Sequence, residues 1–243
     1  MRENIEQSFG LQTMSSELKN AGNYHRWLIS KIGSYLGSRV LEIGIGDGSY
    51  TKLLGKKELV VGIDLAEDCV NFCKKEFVAD EYIKCFKVDL LADNLEEVKS
   101  HNLDSAFCFN VLEHVEDDVN FLKKVREIIS EGSNFAIIVP AMDMLYGEMD
   151  RLAGHFRRYN QKSLVGVAEK AGWQVVKVEY INFLGSIGWW LANKTIKPKT
   201  LNDSKINKQI ILFDKFILPI TKVIDIFTKR FFGQSLLIIL KKS

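Results

Sequence analysis

Glu42, Gly44, Gly46 and Gly48 stand at alternate positions in the run Val40-Leu41-Glu42-Ile43-Gly44-Ile45-Gly46-Asp47-Gly48, an acid followed by three spaced glycines. Glycines at that spacing let the backbone pass beside a ligand with no Cβ in the way. The carboxylate of Glu42 favours a ligand carrying an ammonium or sulfonium group. S-adenosylmethionine is such a ligand. A dinucleotide site would want G-x-G-x-x-G, so that a helix start faces the pyrophosphate, and here Ser49 holds the place of the third glycine. The spacing therefore disfavours NAD.

Two further acids end apolar runs. Val60-Val61-Gly62-Ile63-Asp64 places a carboxylate where it could accept both ribose hydroxyls of a nucleoside, a feature that fits NAD equally well. In Val88-Asp89-Leu90 the acid could take a hydrogen bond from an adenine amino group, with Leu90 beside the ring. A single carboxylate at a strand end is commonly a helix cap. Three after successive strands point to one shared ligand.

Tyr146, Asp150, His155, Arg157, Arg158 and Tyr159 crowd a second stretch. His155 is the candidate base, because an imidazole titrates near neutrality and can take a proton from a hydroxyl or ammonium as a methyl group arrives. Arg157 or Arg158 could grip a carboxylate or phosphate through a two-pronged contact. The same residues could instead form a latch, with Asp150 on an arginine and His155 capping a helix. Asp143, Asp150 and His155 could ligate a divalent ion, but their spacing fixes no geometry and no metal is expected. Cys69 and Cys73 lie one helical turn apart without two further ligands, so all four cysteines read as reduced core thiols.

The elements that must position these groups alternate in type. Strands are expected at Arg39 to Ile43, Leu59 to Ile63, Tyr82 to Val88, Asp104 to Phe109, Asn134 to Val139, Gln174 to Ile181 and Ser235 to Leu240. A helix start is expected at Ser49 to Leu54, and helices from Glu67 to Phe77, Asp117 to Ile129 with Gly132 as its left-handed cap, and Lys162 to Ala171 closed by Gly172. Alternation of this kind marks an α/β fold with a largely parallel sheet. Ser15 to Leu36 reads as a leading helix or helix pair carrying Tyr24, His25 and Trp27. Asn182 to Gly233 is far longer than a hairpin needs and reads as a helical insertion with Phe183, Trp189 and Trp190. Within it Ile210 to Phe232 is amphipathic, broken by Asp214, Lys215, Lys222 and Asp225, and so does not read as a membrane span.

These residues resemble the class I S-adenosylmethionine-dependent methyltransferases of the type 11/12-like kind, from about Arg39 onward. The resemblance implies a Rossmann-like sheet of seven strands, mostly parallel with the last antiparallel, and helices on both faces. It implies cofactor contacts from Glu42, Gly44, Gly46, Gly48, Asp64, Leu65, Asp89, Leu90, Asn110 and Val111, the last two in the fourth motif Phe109-Asn110-Val111-Leu112-Glu113-His114-Val115. A narrower likeness joins Val139-Pro140-Ala141, Leu145-Tyr146-Gly147, Asp150 and Gly154-His155-Phe156-Arg157-Arg158-Tyr159, with the Trp189-Trp190 pair beyond. It is similar to a subgroup with the pattern VPA, LYG, D and GHxRRY, found with surface-polysaccharide and natural-product genes. The expected chemistry is methyl transfer to a small-molecule or glycan acceptor, on oxygen first and on an amine second, giving S-adenosylhomocysteine. His155, Tyr146 and Arg158 are the catalytic candidates. A non-catalytic cofactor-binding partner is the rival from another class.

Composition sets the outer bounds. With 243 residues, 47% hydrophobic content and a net charge of +2, the chain reads as one globular domain, and disorder and collagen are excluded. Its divisions are residues 1–38 as a lid, 39–182 as the cofactor core, 183–233 as the insertion and 234–243 as the last strand. From Leu191 onward eleven Lys and Arg face three acids, a basic tail on an acidic body. That tail opens contact with an anionic membrane or a lipid-linked substrate, or a homodimer. The amino-methylation motif N-P-P-Y or D-P-P-Y is absent, and no nucleic-acid partner is expected. Met1 to Gly10 is polar, so no signal peptide is expected and a cytoplasmic location follows.

Overall fold

The computed structural model describes residues 21–195 and 211–243. Helix α1 (Gly22–Ile32) precedes β1 (Arg39–Ile43), β2 (Leu59–Asp64), α2 (Glu67–Glu76), β3 (Ile83–Lys87), the short α3 (Glu96–Lys99) and β4 (Ser105–Phe109). Then come α4 (Asp118–Ile128), β5 (Asn134–Pro140), the short α5 (Glu148–Leu152), α6 (Gln161–Lys170), β6 (Gln174–Ile181) and α7 (Phe183–Thr195). A π-helical turn (Phe213–Ile217) runs into α8 (Leu218–Thr228), and β7 (Ser235–Lys241) ends the fold. Ser15 to Asn20 of the expected leading helix, and residues 196–210 of the insertion, lie outside the described residues.

The seven strands make one sheet in the order β3-β2-β1-β4-β5-β7-β6, with β7 antiparallel to both neighbours and the remaining pairs parallel. The central strands are apolar at odd and even positions alike because both faces are covered. Leu41, Ile43, Ala106, Cys108, Ile137 and Ile238 face α4 and α6, meeting Leu122, Val125, Leu164 and Ala168. Their alternates Val40, Phe107, Phe109, Ile138 and Leu237 face α1, meeting Trp27, Leu28 and Ile32, together with Leu218 of α8. Full burial of each such aliphatic side chain stabilises the fold by roughly 1.5–3 kcal/mol. All four cysteines are free and buried. Among the described residues no helix is long and apolar enough to cross a membrane.

Local chemistry sets the helix ends. Asp117 starts α4 by accepting from the Asn120 amide at 3.0 Å, and Asn160 starts α6 by accepting from Ser163 at 2.9 Å. Two expectations need correction. The segment Ser49 to Leu54 holds only a 3-10 turn (Thr51–Leu53), because the chain must reach β2 by Leu59 and Gly55 turns it at φ +70°. Gly132 does have positive φ, but α4 ends at Ile128 and Ile129 is extended, so the glycine serves the turn into β5 instead.

Candidate active site

Strand order fixes where the chemistry gathers. The chain leaves β1 for β2 on one side and returns to β4 on the other, which opens a crevice at the carboxyl ends of these strands. Ile43 pairs with Ile63 and with Cys108, so Gly44, Asp64 and Asn110 all emerge at this one edge.

The Gly44 and Ile45 amides both donate to the Ile63 carbonyl, at 2.8 and 3.1 Å, and bend the chain over the end of β2. Gly44, Gly46 and Gly48 have φ of +78°, +55° and +71°, conformations that cost a residue with Cβ. A Cβ on Gly44 would lie 2.5 Å from Val111 Cγ2, so the first glycine brings the loops after β1 and β4 together. The Gly46 amide donates to Asp64 Oδ2 at 3.0 Å and the Ala66 amide to Oδ1 at 2.9 Å. Burial raises the Asp64 pKa, although these amides partly offset the effect. Each carboxylate oxygen keeps a second lone pair for a ligand hydroxyl.

Glu42 is buried beneath this loop. Its Oε2 accepts from the Thr51 hydroxyl while Oε1 has no protein partner. Burial pushes its carboxyl up to about 8, the Thr51 hydrogen bond working against that. A buried acid with one orphaned oxygen suits a cationic ligand group. Asp89 Oδ1 accepts from the Leu91 amide at 2.9 Å, leaving Oδ2 for a ligand. Leu65 is exposed at the edge, whereas Leu90 packs in the core with Leu95 and Val98. Asn110 is exposed in the left-handed region at φ +53°, its amide held by the Ile138 carbonyl at 2.8 Å. A cavity of about 310 Å³ flanks the glycine loop between α1 and α2, lined by residues that include His25, Asp47, Ser49 and Phe72.

The stretch from Ala141 to Tyr159 closes on itself, because the Met142 amide donates to the Tyr159 carbonyl and the Tyr159 amide to that of Pro140, each at 2.9 Å. Its hub is Asp150, which is fully buried. It accepts from the Gly147 amide at 2.9 Å, from Arg158 Nε at 2.8 Å and from His155 Nδ1 at 2.9 Å. Burial alone would raise the Asp150 pKa, but His155 and Arg158 more than reverse this and hold it below the usual carboxylate range. The Arg158 guanidinium also donates to the Ala141 carbonyl at 3.1 Å and lies 5.1 Å over the Trp189 ring. It is buried and spent inside the protein. The expectation that Arg158 meets a substrate is replaced by a strut, the latch that the sequence also allowed. Arg157 reaches Asp118 at 2.9 Å, and Tyr146 donates its hydroxyl to the His155 carbonyl at 2.8 Å.

The Asp150 contact orients the His155 ring, whose Nε2 lies 3.9 Å from Glu113 Oε1. Glu113 is fully buried with neither oxygen partnered, and burial pushes it up to about 8. Burial, with His155 beside it, brings His114 down to about 4, so that ring is neutral at physiological pH. The ligand atoms of Glu113, His114 and His155 lie within 4.8 Å of one another, an arrangement that could hold a metal ion. Asp143 of the sequence-derived candidate set is elsewhere, exposed and 3.3 Å from Asn160 Nδ2. The Asp118 anchor of Arg157 and the Thr51 contact to Glu42 join separate elements and leave no signal in the sequence.

A family profile described as a methyltransferase domain matches residues 15–178. Among curated relatives, a ubiquinone biosynthesis O-methyltransferase of Acinetobacter baylyi is 21% identical over 109 residues, covering 44% of this chain and 46% of that protein. The chain thus spans about half the length of that relative. Among solved structures, a SAM dependent methyltransferase from Archaeoglobus fulgidus aligns with TM-score 0.56 and 21% identity, covering 91% of this chain and 94% of the other. Haemonchus contortus phosphoethanolamine N-methyltransferase 2, solved with S-adenosyl-L-methionine, aligns with TM-score 0.61 and 15% identity over 90% of this chain and 52% of its own.

Proposed function

Since this chain belongs to the methyltransferase-domain family, we propose that it moves a methyl group from S-adenosylmethionine to an oxygen of a small-molecule or glycan acceptor, leaving S-adenosylhomocysteine. The observation that carries the cofactor reading is the union at one sheet edge of three positive-φ glycines, the amide-held Asp64 and the half-satisfied Glu42. In this reading Asp64 holds the ribose hydroxyls, Asp89 and Leu65 border the adenine, and Glu42 faces the cationic methionyl end. Asn110 and Val111 close the loop from the β4 side. Bound there, the cofactor supplies a sulfonium methyl whose transfer is an in-line displacement.

The protein's own task is alignment and proton removal. His155 takes the proton from the acceptor hydroxyl through Nε2. Asp150 accepts from Nδ1 and stabilises the imidazolium that forms, as in other acid-oriented histidine bases. Tyr146 and Arg158 act one step back, fixing the His155 backbone and the Asp150 carboxylate respectively. Helices α1 and α7 serve as the lids of this site, with Trp189 of α7 tied to the Leu145 carbonyl at 3.2 Å. Oxygen as the acceptor atom agrees with the name of the curated relative and with an imidazole that Asp150 orients.

Methyl-labelled cofactor offered with sugars, phenols, carboxylic acids and primary amines tests this. Label should pass to a hydroxyl or carboxyl acceptor, and His155→Ala should slow that turnover by about 10²–10⁴ while cofactor affinity is unchanged. Label on amines alone, or full turnover by the variant, would overturn the oxygen and base assignments.

A further inference from the structure

The segment after residue 210 carries its polarity the wrong way round for a helix packed on a core. Its buried seam runs Asp214, Leu218, Thr221, Asp225, at the i, i+4, i+7, i+11 spacing of one helix face. The outward face holds Phe216, Ile220, Val223, Ile226 and Phe227, with Phe227 and the following Phe231 about three-quarters exposed at 76% and 75%. Amphipathic helices of soluble folds place the acids outside and the isoleucines inside.

Two contacts hold this orientation. Asp214 accepts from the Tyr24 amide at 2.7 Å and from the Asn23 amide at 3.3 Å, capping α1 from far along the chain. Asp225 accepts from the Asn182 and Phe183 amides at 2.6 and 2.9 Å, capping α7. Rolling α8 to bury its apolar face would strip both helix starts of their acids and expose four amides without partners. The exposed apolar face is therefore a fixed feature of the fold.

Charge identifies what the face meets. Lys215, Lys222, Lys229 and Arg230 are exposed around it, and among the described residues 211–234 no acid is exposed. Apolar side chains ringed by cations match the interior and headgroups of an anionic bilayer surface. The helix that carries the face adjoins the candidate active site, since α8 packs on α7, whose Ile187 is exposed and whose Trp189 lies against Arg158.

We infer that this face of α8 docks the protein on an anionic lipid membrane, so that the acceptor is drawn from that surface as a polar group carried on a lipid. The choice of acceptor rests on the methyltransferase reading; the docking does not. The docking experiment is cosedimentation of the full chain with vesicles of phosphatidylglycerol and phosphatidylcholine in equal parts, against phosphatidylcholine alone. Binding should be at least about tenfold stronger to the anionic vesicles and weaken with salt. A double variant, Ile220→Ser with Phe227→Ser, should lose vesicle binding while its circular dichroism and S-adenosylmethionine titration match the parent. Absence of vesicle binding, or equal binding by the double variant, overturns the inference. So does a dimer that the double variant converts to monomer, which would make the face a subunit interface. Failure of cofactor binding in both proteins alongside intact vesicle binding would instead refute the methyltransferase reading and leave the docking standing.

Discussion

Glu42 couples cofactor binding to proton release, and its surroundings set the size of the effect. Burial pushes its carboxyl up to about 8 from an ordinary 4.5, with only the Thr51 hydroxyl opposing. At pH 7 about nine in ten free molecules therefore carry the proton. A cationic methionyl group brought beside Oε1 favours the carboxylate, so binding at pH 7 should release about 0.9 proton per cofactor. If bound Glu42 returns to its ordinary value, the gap of about 3.5 pH units sets an upper limit of ~5 kcal/mol on this coupling. Affinity should then climb by up to about tenfold per pH unit between pH 5 and 8 and level off above. Calorimetry at pH 7 in two buffers of different ionisation enthalpy counts the protons directly. Glu42→Gln keeps the side chain neutral and able to meet Thr51, and titration of the cofactor's own amine cancels between the two proteins. The parent should release about 0.9 proton more than the variant. Equal release by both would refute the placement of Glu42 at the cationic end.

Gly44→Ala sets a Cβ 2.5 Å from Val111 Cγ2 at a φ of +78°, so cofactor affinity should fall at least about tenfold by calorimetry, with partial recovery when Val111→Ala is added. Asp150→Ala leaves the buried Arg158 guanidinium without its carboxylate and should cost ~3–5 kcal/mol in urea unfolding. Because folded Asp150 ionises below its ordinary value, the stability it contributes is present above that value and should be lost as pH falls through the depressed one, a loss that Asp150→Asn would not show. Folded Glu42 and Glu113 keep their protons up to about pH 8, whereas the unfolded chain releases them near 4.5. The cofactor-free protein should therefore lose stability as pH rises across that window, and Glu113→Gln should flatten the decline in thermal melts.

Much of the site was legible because it is local in sequence. Alternate glycines after an apolar run admit few conformations, and all three take positive φ, with Asp64 and Asn110 at the same edge. Strand limits followed from apolar runs long enough to be buried on both faces. The helix expected after β1 shrank to one turn because Gly55 and the short path to β2 leave no room, a constraint that periodicity ignores. Arg158 could not be told from a substrate grip until Asp150 was seen to claim it inside the same loop. The direction of α8 was the least legible feature. Asp214 and Asp225 break an apolar run in sequence, and only their caps on α1 and α7, helices distant in the chain, show that the acids point inward.

The measurement closest to the central claim is a calorimetric titration of the purified protein with S-adenosylmethionine, S-adenosylhomocysteine and NAD, repeated on Asp64→Ala. Binding of the first two in the micromolar range, no heat from NAD, and loss of both by the variant are the predicted results. Binding of NAD alone, or cofactor affinity untouched by Asp64→Ala, would contradict the account.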